Sequence, residues 1–306
     1  MIFAAGYQQI DAGMLFSEML RDYRDEVREV YFSYPGFASG RPENGGSLPE
    51  QIEQLEFELH QLRQMGIALD LLFNGNCYGQ WAISHRFQRE IISVMERLSS
   101  LELLPEVVTT TSPFVASVIR QYFPGTEIRA SVNMKLDSIN AMEFLADKFD
   151  SFYIRRDLQR DLATVEKFHL WCRSHGKKLC MLANSGCLPD CPYQTFHDNM
   201  VSHDADIRNV RNVAEFMPHL CWERYRFKEN RSDFLKSSWI CPGDVDKYSP
   251  FIDVMKLATR QHASPRMVIA AYTRRNFSGN IYDLTEPCFA SLFAPETLHL
   301  ETHLAE

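Results

Sequence analysis

The sequence predicts an α/β protein of the TIM type, a (β/α) barrel with a C-terminal helical extension, on three observations. Short apolar runs alternate with amphipathic helical stretches along most of the 306 residues. The runs recur at spacings of about 20 to 40 residues, as repeated βα units do. Polar residues cluster just past each run, where a barrel presents the loops that carry its chemistry.

Taken in order, Met1–Ala5 (MIFAA), Val30–Tyr34 (VYFSY), Ala68–Phe73 (ALDLLF) and Val107–Thr111 (VVTTT) read as buried strands. So do Ile128–Val132 (IRASV), Phe152–Ile154 (FYI) and Leu179–Leu182 (LCML). Trp239–Ile240 is a weak eighth. Between them, stretches such as LPEQIEQLEFELHQLRQMG, SPFVASVIRQYFP and SINAMEFLADKF carry helical periodicity. A doubly wound sheet is the alternative, because alternation alone does not show closure. The barrel is expected to span residues 1–248 and the C-terminal helices and polar tail residues 249–306. Within the latter, Ile252, Val254, Met255, Val268, Ile269 and Tyr272 follow a helical period and need a face to pack on.

A chain of this length with 45% hydrophobic residues can bury a large core. A formal charge of −8 argues against wrapping a polyanion with the whole surface, while leaving room for a local basic groove. The start, MIFAAGYQQID, lacks the basic segment and apolar length of a signal peptide, and no run approaches the roughly 18 apolar residues that cross a bilayer. The reading is therefore cytoplasmic. In a reducing compartment the eight cysteines point to metal binding or catalysis rather than a disulfide framework.

The stretch LCMLANSGCLPDCPYQTFHDNMVSH, Leu179 to His203, is the densest in chemistry. Cys187 and Cys191 flank Leu-Pro-Asp just past a strand, in a loop stiffened by Pro189 and Pro192. Cys221 follows in HLCWERY, and Cys77 sits in an equivalent place after Asn74-Gly75-Asn76. Thiolates on loops past strand ends can converge on one centre, so these four are the candidate ligands of an iron–sulfur cluster or a zinc ion. Cys172, Cys180 and Cys288 read as ordinary buried thiols. Cys241 is the reserve ligand. Structural zinc favours repeated C-x2-C pairs, whereas this chain has one C-x3-C and two isolated partners, and spacing alone leaves both metals open.

Other candidates lie at the same strand ends. Arg156, beyond FYI, can grip an anion through its guanidinium fork, with Asp157 orienting an arginine of the Arg155–Arg156 pair. His197 is a candidate acid–base or substrate contact, better placed than His203. Asn74, Asn133, Asn184 and Arg260 are the candidate substrate-binding residues, and Lys256 invites the same reading. No G-x-S-x-G or H-E-x-x-H occurs, and SGRPENGGS lacks the ending of a phosphate loop and reads as a flexible loop.

Several of these segments, taken in order, resemble one family. They are LLFNGNCYG, IRASVNMKLDSINAMEFL, FYIRRDLQRDLATVEKF, LANSGCLPDCPYQTFHDN, SSWICPGDVDKY and the closing DVMKLATRQHASPRMVIAAYTRRNFSGNIYDL. Together they look like the collagenase-like peptidases, family thirty-two of the peptidases of unassigned mechanism, over roughly residues 65 to 285. The cysteine loop and the closing pattern of Lys256, Ala258, Arg260, Ala271, Tyr272, Gly279, Asn280 and Asp283 are the most specific parts.

The resemblance implies a barrel holding a [4Fe-4S] cluster on four cysteines. It also implies oxygen-independent hydroxylation or tRNA and rRNA modification, often with prephenate as oxygen donor, and in some members pairs of related subunits. It is this resemblance that favours iron–sulfur over zinc. Relatives on this branch usually carry W-I-R-P-E-D where this chain has Trp239-Ile240-Cys241-Pro242-Gly243-Asp244, so Cys241 stays in reserve. The expected function is an iron–sulfur redox enzyme modifying a small molecule, peptide or RNA. A metal-dependent peptidase and a non-catalytic cluster-bearing subunit are the alternatives.

Overall fold

The computed structural model describes residues 1–9, 13–39, 48–293 and 299–302. Eight short strands rich in β-branched, aromatic and aliphatic residues form one sheet. They are β1 (Ile2–Gly6), β2 (Val27–Phe32), β3 (Ala68–Phe73), β4 (Val107–Thr110), β5 (Glu127–Ala130), β6 (Ser151–Tyr153), β7 (Lys178–Leu182) and β8 (Val254–Leu257). Each pairs in parallel with the next, and β8 pairs with both β7 (Leu182↔Lys256) and β1 (Ala4↔Lys256), which closes the barrel. Closure excludes the doubly wound alternative.

The crossovers carry α1 (Phe16–Leu20), α2 (Leu48–Gln64), α3 (His85–Ser100), α4 (Pro113–Tyr122), α5 (Ile139–Glu143) and α6 (Leu162–Ser174). Ser84, Ser112, Ser138 and Asp161 start α3 to α6, each side-chain oxygen accepting from a backbone N–H of the first turn. One strand face supplies Leu69, Leu71, Val108, Ile128, Phe152 and Met181 to the layer beneath these helices, where Ile91, Met95, Ile119 and Phe168 meet them. The other face fills the barrel with Ala4, Tyr31, Leu72, Tyr153, Cys180 and Val254.

The seven strands expected from residues 1–182 are all present, with ends differing by a few residues. The eighth differs. Trp239–Ile240 is buried but outside the sheet, its Ile240 N–H donating to Ala183 O at 2.7 Å. The closing strand instead lies beyond residue 248, in the segment expected to be helical. Lys256 interrupts the apolar run of VMKL, and the charge is tolerated because it points into the barrel among other ionisable groups. The barrel therefore extends to Leu257.

Between β7 and β8 a long insertion holds α7 (Gln194–Ser202), α8 (Asp204–Arg208), α9 (Leu220–Tyr225) and α10 (Val245–Tyr248). After β8, α11 (Pro265–Thr273) buries Val268, Ile269, Ala271 and Tyr272 in the main core, as the helical period there requires. A short antiparallel pair, β9 (Ser278–Asn280) and β10 (His299–Glu301), follows. The insertion and this C-terminal segment share a second core of Leu188, Tyr225, Phe234, Trp239, Tyr282, Phe289 and Phe293. Residues 40–47 of the expected flexible loop and residues 303–306 of the expected tail lie outside the described residues. Among the described residues no helix is long and apolar enough to cross a membrane.

Candidate active site at the barrel mouth

The inward face of the barrel is unusually ionic. Arg129 on β5, 1% exposed, donates to both carboxylate oxygens of Glu29 on β2 at 2.5 and 2.9 Å and to Glu127 Oε1 at 3.0 Å. Asp70 on β3 accepts from Thr109 Oγ1 at 2.8 Å and lies 3.6 Å from Arg129. Burial pushes the Asp70 carboxyl above its ordinary range, with Arg129 opposing. Above this layer Lys256 on β8 lays its amine over the Tyr31 ring, 3.7 Å from the centroid, and 5.5 Å from that of Tyr153. Burial pushes this amine below its ordinary range, partly offset by Asp70 and reinforced by Arg260 and Arg129.

Tyr31 and Lys256 form part of the floor of a cavity of about 540 Å³ that opens at the C-terminal ends of the strands. Asn74, Asn133 and Arg156, from the loops after β3, β5 and β6, form one side. The insertion supplies the roof through Cys187, Cys191, His197, His219 and Cys221. Ala258, Arg260 and Glu286 complete the wall beyond β8.

Three of the four proposed ligands, Cys187, Cys191 and Cys221, thus meet on one wall. The Cys221 thiol is pushed up to about 12, by burial first and then by Cys187 and Cys191. Cys191 is likewise raised by burial and by Cys187, so the three thiols act on one another. Arg156 donates from Nη1 to Cys187 Sγ at 3.2 Å and from Nη2 to Asn133 Oδ1 at 2.5 Å. The sharp approach behind this loop requires glycine: a Cβ on Gly186 would stand 2.7 Å from the Phe289 ring.

Cys77 is placed apart from that wall. Its Sγ accepts from Gly79 N at 3.4 Å, and neighbouring Asn76 N donates to Ser202 Oγ at 2.8 Å, at the last residue of α7. Cys191 precedes the first residue of the same helix, so about 12 Å of helical rise separates the two ends. Cys241 is also outside the cavity wall and packs beside the second core. Among the described residues no group of three His, Cys, Asp or Glu side chains stands close enough to hold a single metal ion.

Of the remaining candidates, Asn74, Asn133, Arg156, His197 and Arg260 all line the cavity. The His197 and His219 rings meet edge to face with centroids 4.6 Å apart. Asp157 accepts from Arg155 Nε at 2.8 Å and is not part of the wall, so it orients Arg155 rather than Arg156. Asn184 is turned away from the cavity: its amide donates to Ala258 O and Leu284 O and accepts from Ala258 N at 2.6 Å. It satisfies backbone groups where β7, β8 and the C-terminal segment meet, a packing role.

Sequence reasoning missed Tyr31, His219 and Glu286 on the wall and the ionic layer beneath it. One signal was available, since VREVYF, ALDLLF, EIRA and VMKL each carry charge within an otherwise strand-like run.

No family model matches the chain. It is 23% identical over 268 residues to a protein of Methanocaldococcus jannaschii named "Uncharacterized protease MJ1657", covering 86% of this chain and 76% of that protein. A solved structure described as that of the U32 peptidase Mk0906 superposes with a TM-score of 0.59 at 14% identity, covering 85% of this chain and 93% of the other. The latter likeness shows the shared barrel. With the motifs of the cysteine loop and of the closing segment, these matches support a relation to the U32, or collagenase-like, peptidase family.

Proposed function

We propose that the chain is an enzyme whose reaction takes place at the barrel mouth, with Cys187, Cys191 and Cys221 carrying an iron–sulfur cluster. The observation that supports this is the meeting of three thiols on one cavity wall beside Arg156. Soft thiolate donors select iron–sulfur or zinc. The resemblance to the collagenase-like peptidases is what favours iron–sulfur over zinc here. A four-iron cluster would take one ligand per iron, three of them these thiolates. When bound, the cluster supplies electron-transfer chemistry.

The chain's own residues then have definable tasks. Arg156 balances the charge at Cys187, and Asn133 fixes the plane of its guanidinium. Asn74, His197 and Arg260 present polar groups to the substrate, and the insertion's roof limits the entry of water. A cavity of about 540 Å³ suits a small molecule or the reacting end of a peptide or RNA. Oxygen-independent hydroxylation of such a substrate is the reaction we favour.

Purification without oxygen tests the reading. About four irons per chain, with matching sulfide and a brown colour, is expected. Stoichiometric zinc, or no metal in chain that is otherwise folded, would overturn it.

The printed name of the methanogen relative favours a second reading, hydrolysis of a peptide bond. Cleavage of a peptide library by iron-free protein supplied with zinc would select that reading over the first.

A further inference from the structure

We propose that Lys256 is a carbonyl-reactive amine, which takes an aldehyde bearing an anionic group and holds it as an imine on the cavity floor. Neither the cysteine wall nor the reading built on it requires such a group. Four observations carry the idea. Lys256 is on a strand of the closed barrel, so its amine is held by the most rigid part of the fold. It is 8% exposed and borders the cavity, so a ligand there can reach it while bulk water is largely excluded. Its amine rests on the Tyr31 and Tyr153 rings and makes no hydrogen bond or ion pair to any described residue. Arg156 and Arg260 border the same cavity and supply the attraction for an anionic group.

Burial is the main influence that favours the neutral, nucleophilic form. Arg129 from β5 and Arg260 beyond β8 disfavour the ammonium, as burial does, while Asp70 from β3 and Glu29 from β2 oppose them. Glu29 is engaged by Arg129 through both oxygens, and Asp70 through one oxygen by Thr109 and Arg129. A desolvated lysine beside other cations is an established way to activate an amine towards carbonyls. The Tyr153 hydroxyl, on the second ring beside the amine, is buried and without a hydrogen-bond partner among the described residues.

The chemistry balances without a redox partner. The neutral amine attacks the carbonyl carbon to form a carbinolamine. The carbon–oxygen bond then breaks, a carbon–nitrogen double bond forms, and the two amine hydrogens leave with the oxygen as water. Hydrolysis reverses it.

The test uses the full chain, purified without oxygen, incubated with dilute glyoxylate and cyanoborohydride, which reduces any imine to a stable secondary amine. Peptide mass mapping then compares Lys256 with Lys148, a half-buried surface lysine paired with Asp147. We expect Lys256 to be modified about tenfold faster, as a lowered amine allows, and propanal to react more slowly than glyoxylate at this site alone. Modification of Lys256 no faster than Lys148 would overturn the proposal, and equal rates for the two aldehydes would overturn the anionic preference. A parallel Cys187→Ser protein separates this result from the cluster reading. Lys256 labelling should persist there while iron is lost, and iron measured on the unmodified chain judges the thiols independently.

Discussion

Arg156 bridges two kinds of chemistry, with one guanidinium nitrogen 3.2 Å from Cys187 Sγ and the other 2.5 Å from Asn133 Oδ1. The fork ties the loop after β6 to the loop after β5 and to the insertion. The planar fork offers one nitrogen to each acceptor, a fixed geometry that an ammonium does not reproduce.

Arg156→Lys should therefore keep the positive charge and lose the geometry. If the thiols carry a cluster, release of iron to a chelator should accelerate by about 10–100-fold, the usual effect of removing a hydrogen bond behind a metal ligand. Arg156→Ala should be faster still. Release rates equal to wild type in both would show the contact to be idle.

The placement of the cysteines makes a graded series. Cys187→Ala, Cys191→Ala and Cys221→Ala should each abolish the brown colour and most of the bound iron. Cys77→Ala should retain both, because its thiol sits by Gly79 at the far end of α7. Iron analysis of the four proteins decides, and loss of iron only in the Cys77 variant would invert the assignment.

The ionic layer inside the barrel should be costly to break. Arg129→Met leaves Glu29 and Asp70 buried without their main cation, and removing one partner of a buried pair typically costs about 3–5 kcal/mol. Urea unfolding should show a loss of that order. Restoring most of it by adding Glu29→Gln would confirm that the unpaired carboxylate, rather than lost packing, is responsible.

Glu127 gives a signed pH dependence. Burial raises its carboxyl, but Arg129, Lys178 and Ser151 outweigh burial and hold it at about 2, below the ordinary 4.5. Stabilisation is then complete above about 4.5 and is lost as pH falls towards 2, by at most roughly 3 kcal/mol. Chemical denaturation at a series of pH values should show this slope in wild type. In Glu127→Gln it should flatten, and an unchanged slope would place the acid sensitivity elsewhere.

Much of the barrel could be read from the chain because its first seven strands are short apolar runs with polar ends. The eighth was hidden by Lys256, whose charge is sensible only once its neighbours on β2, β3 and β5 are known. The site was legible in part for a similar reason. Cys187 and Cys191 announce themselves by spacing and Pro-rich loop chemistry, and Cys221 follows in the same insertion. Cys77 shares the local signature of a strand end but not the location, which depends on the course of α7. Asn184 looked like a rim residue because it follows β7 directly. Its amide is instead consumed by the backbone of Ala258 and Leu284, contacts made with residues 74 and 100 positions away that no local pattern reveals.

The insertion between β7 and β8 carries all three converging cysteines and both cavity histidines, while the cations of the floor and side belong to the rest of the chain. Because it packs largely on a core it shares with the C-terminal segment, the thiol-bearing cap and that segment form one unit laid over the strands. An exchange of the two together could replace the thiols with another set of groups and leave the eight strands untouched. Descendants of such a barrel can therefore diverge in reaction while retaining the same receptacle for the substrate.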